Sequence, residues 1–332
     1  MNDVLFVALR KLSRRTVDLA RTLGMKMLAI PCSTLYLDGL AKVSKVIKIL
    51  RPRVVVAQLP QGPLLWILVK LRNHYGYRLV ADVHTGFLVY DDWRGYVLNR
   101  PFVKYLRYAD LVLVHNEDII ELLPTEVRRK AMVLYDPPPR IDFPLRKVFD
   151  FRYAVFPCSW SRDEDVEYVI REFLAVDTDL KLVVTGDYRK RIDVYRRYAG
   201  SERIVFTGYV DRVTYYSILS HAELVIVNTT REYTMLSTVW EALELEKPLI
   251  VPYTRTLSRM LSDYVVYYCV DEASSLSRVL KNVLSNEAFL NEMRKNVREL
   301  RRVLDARRRV QMQSFKHWIE SINSGTPETS LW

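Results

Sequence analysis

The side chains best suited to chemistry cluster between Asn228 and Leu243. An apolar run ends at Asn228, a polar loop carries Arg231 and Glu232, and a helical pattern begins near Ser237. Ser237 and Thr238 are residue types that favour the N-cap. A helix start offers free N–H groups and the positive end of the helix dipole, so it attracts anions. Glu241 lies one turn on, on the same side as that start. A carboxylate there can accept both ribose hydroxyls of a nucleotide whose phosphates rest on the helix start. A first-turn acid answering the dipole accounts for Glu241 alone, but not for the whole set. His84 follows the strand-like Leu79–Asp82 and precedes Gly86, so it either faces a ligand or caps the next helix. Gly186 follows Lys181–Thr185, with Arg189 and Lys190 behind it. It admits close backbone approach, and the basic pair suits phosphate; an ordinary strand-to-helix turn reads the same way. Phe206-Thr207-Gly208-Tyr209-Val210 has the same two readings, the bland one being a tight turn with a buried aromatic.

These residues follow apolar runs, and the runs alternate with helical patterns. In the first half the strands are expected at Val4–Ala8, Met27–Ile30, Val54–Ala57, Leu79–Asp82, Leu111–His115 and Met132–Leu134. In the second they are expected at Tyr153–Phe156, Lys181–Thr185, Ile204–Phe206, Leu224–Asn228, Leu249–Val251 and Tyr267–Val270. Leu40, Val43, Ile47 and Leu50 form an apolar helical stripe, with Lys42, Lys45 and Lys48 off it. Strand and helix in alternation imply doubly wound parallel sheets. Such sheets take ligands beyond the C-terminal ends of their strands, which is where the singled-out residues stand. The run Asp136-Pro137-Pro138-Pro139 ends any regular element. The expected division is residues 1–150, residues 151–305, and a C-terminal helix, 306–332, packing back on the first domain.

A length of 332 residues suits two domains, and 49 % hydrophobic with 27 % charged residues is a globular balance. The three cysteines, Cys32, Cys158 and Cys269, are widely spaced and form neither a disulfide framework nor a zinc motif. No signal peptide or spanning run is evident, so a cytoplasmic setting is expected. The net charge is +11, unevenly placed. Residues 1–150 hold 24 Lys and Arg against 14 Asp and Glu, and residues 151–286 hold 17 against 19. The first half therefore expects an anionic partner.

The second half resembles glycosyltransferase family 4, the glycosyl transferases group 1. The likeness is carried by Val183-Val184-Thr185-Gly186-Asp187, Val205 to Val210, Ala222 to Asn228, Glu232 to Leu243 and Lys247 to Val251. The first half is similar more loosely, through Ala81 to Gly86 and Tyr108 to Asn116. The resemblance implies a GT-B fold, α/β, with two Rossmann-like domains facing a central cleft. It also implies a hexosyltransferase-type enzyme using a UDP- or GDP-sugar. Carried over residue by residue, Glu241 takes the ribose, Ser237 and Thr238 the diphosphate, Glu232 and His84 the donor sugar, and Gly186 and Tyr209 flank the nucleoside. Eight residues separate Glu232 from Glu241 where the family has seven. The Gly-rich loop after the first strand is replaced by Leu9 to Arg15. The family's phosphate-binding basic pair is replaced by Ser159 to Glu164, so that Arg162 or Arg231 must stand in.

No Asp-x-Asp metal motif is read: the triplet Asp163-Glu164-Asp165 fits a helix start, where acids are favoured. The expectation is transfer without metal or cofactor. Charge on the leaving β-phosphate is then met by cations and helix N–H groups. A nucleotide-sugar epimerase on the same fold and a non-catalytic nucleotide-sugar binder are the alternatives. No recognised nucleic-acid module is present. Two readings of the basic first domain stand side by side. In one, Arg10, Lys11, Arg14 and Arg15 with the Lys42 row dock on an anionic membrane carrying a lipid-linked acceptor. In the other they are a solvated face.

Overall fold

A computed structural model describes residues 3–33 and 36–324. The chain forms two compact units, one of residues 1–137 with 306–332 and one of residues 138–305. The change of unit falls inside the proline run. Residues 325–332, the end of the expected C-terminal segment, lie outside the described residues.

Each expected apolar run forms a strand. The first unit holds β1 (Val4–Leu9), β2 (Lys26–Ile30), β3 (Val54–Gln58), β4 (Arg78–Val83), β5 (Leu111–Val114) and β6 (Ala131–Val133). They make one parallel sheet in the order β2-β1-β3-β4-β5-β6. Alternation of side chains gives the sheet two apolar faces. Val4, Phe6, Val54 and Val56 pack on one face with Leu19 of the helix Arg14–Leu23. Phe315, Trp318 and Ile319 complete that core. They come from the 38-residue helix Glu287–Ser324, so the chain returns at its end to the first unit's core.

The second unit holds β7 (Tyr153–Phe156), β8 (Lys181–Thr185), β9 (Ile204–Gly208), β10 (Leu224–Ile226), β11 (Leu249–Pro252) and β12 (Val266–Tyr268). They form a second parallel sheet, β12-β11-β10-β7-β8-β9. β10 is shorter than its apolar run. Beyond it the buried Asn228 spends its side chain on the Glu164 carbonyl, at 3.1 Å, and the Tyr268 hydroxyl, at 2.7 Å.

The helix Leu37–Leu50 buries Gly39, Val43 and Ile47, while Leu50 is exposed. Val43 and Ile47 are thus buried as their spacing suggests, while at the ends of the stripe Gly39 takes the inner place of Leu40 and Leu50 faces out. Gly39 takes the inner place because a Cβ there would stand 2.7 Å from Cys32 Cβ. Among the described residues no helix is long and apolar enough to cross a membrane. The uncharged run between Arg53 and Lys70 is β3, a loop and the start of the helix Gly62–Tyr75.

Candidate functional site

In the second sheet the chain steps outward from β7 to β9, then returns to lay β10 on the other side of β7. The loops after β7 and β10 therefore meet at a switch point, where an open sheet accepts ligands. They are tied together through Asp163, whose carboxylate receives Thr229 Oγ1 at 3.0 Å and lies 3.3 Å from Arg231 Nη2. Arg162, in the same turn, is exposed. The other two acids of the triplet are also engaged. Glu164 Oε2 accepts from the Ser159 and Ser161 backbone at 2.7 and 3.1 Å, and Asp165 caps the helix Val166–Leu174. Trp160 and Tyr233 hold left-handed backbone in these two loops, a conformation that side chains other than glycine adopt at a cost.

The helix Ser237–Glu244 starts where expected, but its N-cap is Leu236. Ser237 and Thr238 are its first two residues and not its caps, so no side chain caps this helix. Its start is left for a ligand or solvent to satisfy. Glu241 is buried and accepts a 2.6 Å hydrogen bond from the Tyr215 hydroxyl. Tyr215 also meets Thr238, which brings Thr238 and Glu241 together; burial, then the Glu241 charge, holds the phenol well above its usual range. Tyr215 was not singled out from the sequence. It sits 26 residues before Glu241, in the helix Arg212–His221.

Glu232 lies apart from this pair. Its Oε1 accepts the Arg255 N–H at 3.1 Å, at the first turn of the helix Arg255–Leu261. Gly186 has φ of +90°, and a Cβ there would stand 2.0 Å from the Cys158 carbonyl. The room its missing side chain leaves is thus filled by the protein itself, not held open for a ligand. Arg189 is spent on Asp187, with Nε–Oδ1 at 2.7 Å, while Lys190 Nζ reaches the Ser159 carbonyl at 2.5 Å. Tyr209, just past the neighbouring strand, is 84 % exposed, while Phe206 within that strand is half-buried against the core.

In the first unit the switch point lies between β1 and β3. It is filled by two glutamines. Gln61 makes 2.6 and 2.7 Å bonds to both backbone groups of Leu9, and Gln58 Oε1 accepts from Ser13 N at 2.7 Å. The polar chemistry stands instead beyond β4 and β5. His84 Nε2 lies 3.1 Å from Asp82 Oδ2. It fills the N-cap position of the turn Thr85–Phe87 without a side-chain capping bond, so it does not cap a helix. Asp82 is fully buried, with Arg15 Nε 3.0 Å from its Oδ1; Arg15 Nη1 binds Asp136 at 2.6 Å and the Leu134 carbonyl at 2.7 Å.

Burial alone would raise the Asp82 carboxyl. The Arg15 charge and the His84 hydrogen bond overcome it and bring its pKa down to about 2. An ionised carboxylate only accepts, so Nε2 of His84 carries the hydrogen of this bond. His115 is buried beside this group, its Nε2 3.2 Å from Thr85 Oγ1, and burial pushes its pKa down to about 4. Arg15 is thus internal and neutralised, and Arg14 pairs with Asp18 at 3.6 Å. Of the four cations after β1, only Arg10 and Lys11 are exposed.

Residues 141–300 match the family model described as glycosyl transferases group 1. This stretch, nearly the whole second unit, is a glycosyl transferases group 1 domain. Several solved structures are similar along nearly the whole chain. HepE of Anabaena, in complex with UDP and glucose, is 13% identical with a TM-score of 0.75, covering 96% of this chain and 99% of that one. Sucrose-phosphate synthase of Thermosynechococcus elongatus is 12% identical with a TM-score of 0.73, covering 97% and 99%. A putative UDP-N-acetylglucosamine 2-epimerase of Listeria monocytogenes is 11% identical with a TM-score of 0.70, covering 100% of each. The fold they share with this chain is GT-B. No curated protein matches the chain in sequence.

Proposed function

We propose that the chain transfers a sugar from a nucleoside-diphosphate donor, a UDP- or GDP-sugar, to an acceptor. The observation that carries this reading is the glycosyl transferases group 1 match over a unit whose switch point faces an uncapped helix start and a buried glutamate. Glu241 accepts the ribose hydroxyls, with Tyr215 holding its other oxygen. The helix start at Ser237 and Thr238 takes the diphosphate, helped by Arg231 and Arg162, while Tyr209 borders the nucleoside. As the donor bond breaks, charge collects on the β-phosphate, and N–H groups and cations stabilise it. A metal is left out of the proposal because each acid of the Asp163–Asp165 triplet already has a structural task. Glu232 and His84 act at the transferred sugar, as a hexosyltransferase requires. The UDP bound by HepE supports a uridine donor. The acceptor is proposed to be lipid-linked at an anionic surface, on the strength of the first half's basic excess.

The likeness to the Listeria epimerase keeps a second reading in view. Epimerisation needs an acid and a base at the sugar. His115 is buried, with its Nε2 engaged by Thr85 Oγ1 at 3.2 Å, which favours transfer. Incubation with a nucleotide sugar alone separates the two. An epimerase converts the donor to its epimer without acceptor, whereas a transferase leaves it intact or releases the nucleoside diphosphate by slow hydrolysis.

A further inference from the structure

We infer that the outer helical face of the first unit, centred on Trp93, Tyr96 and Val97, docks on an anionic phospholipid surface. The inference rests on the lipid-linked acceptor proposed above and names the surface that would reach it.

Right-handed crossovers put the helices that follow β2, β3 and β4 on one face of the sheet. The helix Gly62–Tyr75 packs there against both Leu37–Leu50 and the helical stretch from Trp93 to Tyr108. The last contact is close: a Cβ on Gly62 would stand 2.4 Å from the Leu98 carbonyl and from Phe102. Inward positions such as Val43, Ile47, Leu68, Val103 and Leu106 are buried. What remains outside is not an ordinary solvated face. Trp93 is 71 % exposed, Tyr96 53 %, Val97 54 % and, on the first helix, Ile49 66 %. Scattered exposed apolar residues need no explanation; three in five consecutive positions do.

Within the stretch the charge has one sign, with the exposed Asp91 and Asp92 just before it. From Trp93 to Tyr108 the chain has Arg94, Arg100, Lys104 and Arg107, all exposed, and no Asp or Glu. The acid just before, Asp92, is spent capping the helix at Gly95 N. Cations lie over rings along the stretch: Arg94 over Trp93 at 5.6 Å, Lys104 over Tyr105 at 5.5 Å and Arg107 over Tyr108 at 4.9 Å. Amphipathic rings settle at the level of lipid headgroups, and Lys and Arg are drawn to an anionic leaflet. A nucleic acid would leave Val97 and Ile49 without a role. The row on the helix Leu37–Leu50 is the weaker half of the face, since Lys42 is held by the Pro31 carbonyl at 2.7 Å and by Asp38 at 3.3 Å.

Co-sedimentation of the full chain with vesicles tests this. The protein should pellet with phosphatidylcholine–phosphatidylglycerol vesicles, stay in solution with phosphatidylcholine alone, and be released by salt. Combining Trp93→Ala with Val97→Asp should weaken vesicle binding at least tenfold, and Lys104→Glu with Arg107→Glu should remove the preference for anionic lipid. These side chains are exposed, so melting temperature and nucleotide affinity should not change, which separates this inference from the donor reading. Wild-type protein that ignores anionic vesicles at low salt overturns it. So does equal binding by the Trp93 and Val97 variant, or stronger binding to a mixed-sequence oligonucleotide than to vesicles.

Discussion

Asp82 is held by two partners that lie far from it and near it in sequence. Arg15, 67 residues away, neutralises it, and His84, two residues on, is oriented by it. Removing one partner of a buried ion pair leaves the other unmatched, so Asp82→Asn should cost about 3–5 kcal/mol in urea unfolding. An effect under 1 kcal/mol would mean that Arg15 is satisfied by Asp136 alone. His84→Ala removes the side chain assigned to the sugar and should lower turnover about 10²-fold. Nucleoside-diphosphate affinity should barely move; equal loss of both would give His84 a structural task. His84 was legible because it stands at a strand exit beside a glycine. An acid closing the apolar run Leu79 to Val83 was a signal as well, since a buried carboxylate must be paired. Nothing in the sequence named Arg15 as that partner. Arg15 reads there as one more surface cation in a basic loop, and only the approach of β1's loop to β4 shows otherwise.

At the scale of elements, the strands followed from β-branched and apolar runs that parallel sheets bury on both faces. Their ends were less legible, because they depend on tertiary bonds such as those Asn228 makes to Glu164 and Tyr268. The helix start at Ser237 was visible, whereas Leu236 at its N-cap was not, since propensity favours the hydroxyl residues beside it. Gly186 shows how a conformational requirement can pass for a ligand site. Its backbone is left-handed and its missing Cβ faces the Cys158 carbonyl. Gly186→Ala should therefore destabilise the chain by roughly 2–4 kcal/mol, the sum of strain and overpacking. The check is thermal unfolding without ligand. An unchanged melting temperature with lost nucleotide affinity would return Gly186 to the binding surface.

Across the whole molecule, the buried polar group of the first unit links stability to pH. The pKa of His115 in the folded state, about 4, lies below its ordinary 6.5. Its contribution is complete above pH 6.5, shrinks as the pH falls through that window, and is lost by about pH 4. The loss is on the order of 3 kcal/mol at 1.36 kcal/mol per unit. Asp82 acts lower, between its ordinary value and about 2, so the two windows barely overlap. Urea unfolding at pH 7 and pH 4.5 should show a large drop for the wild type and a smaller one for His115→Gln; parallel drops would remove His115 from the account. The charge split between halves was also visible in the sequence. Which cations already have partners was not: the fold buries Arg15 against Asp82 and brings the Pro31 carbonyl to Lys42.

The central claim, that the second unit holds a nucleoside diphosphate through Glu241, is tested most directly by calorimetric titration of UDP and of GDP into the wild type and Glu241→Ala. The wild type should bind one of the two with clear preference over the nucleoside monophosphate, as expected if the helix start carries the diphosphate. Glu241→Ala should lose about 1.5–3 kcal/mol of that affinity, the range for hydrogen bonds to a charged group; its melting temperature should fall as well, because the buried Tyr215 hydroxyl loses its acceptor, so affinity is compared at a temperature where both proteins are folded. No binding of either nucleotide by well-folded wild type, or equal affinity in the variant, would contradict the account.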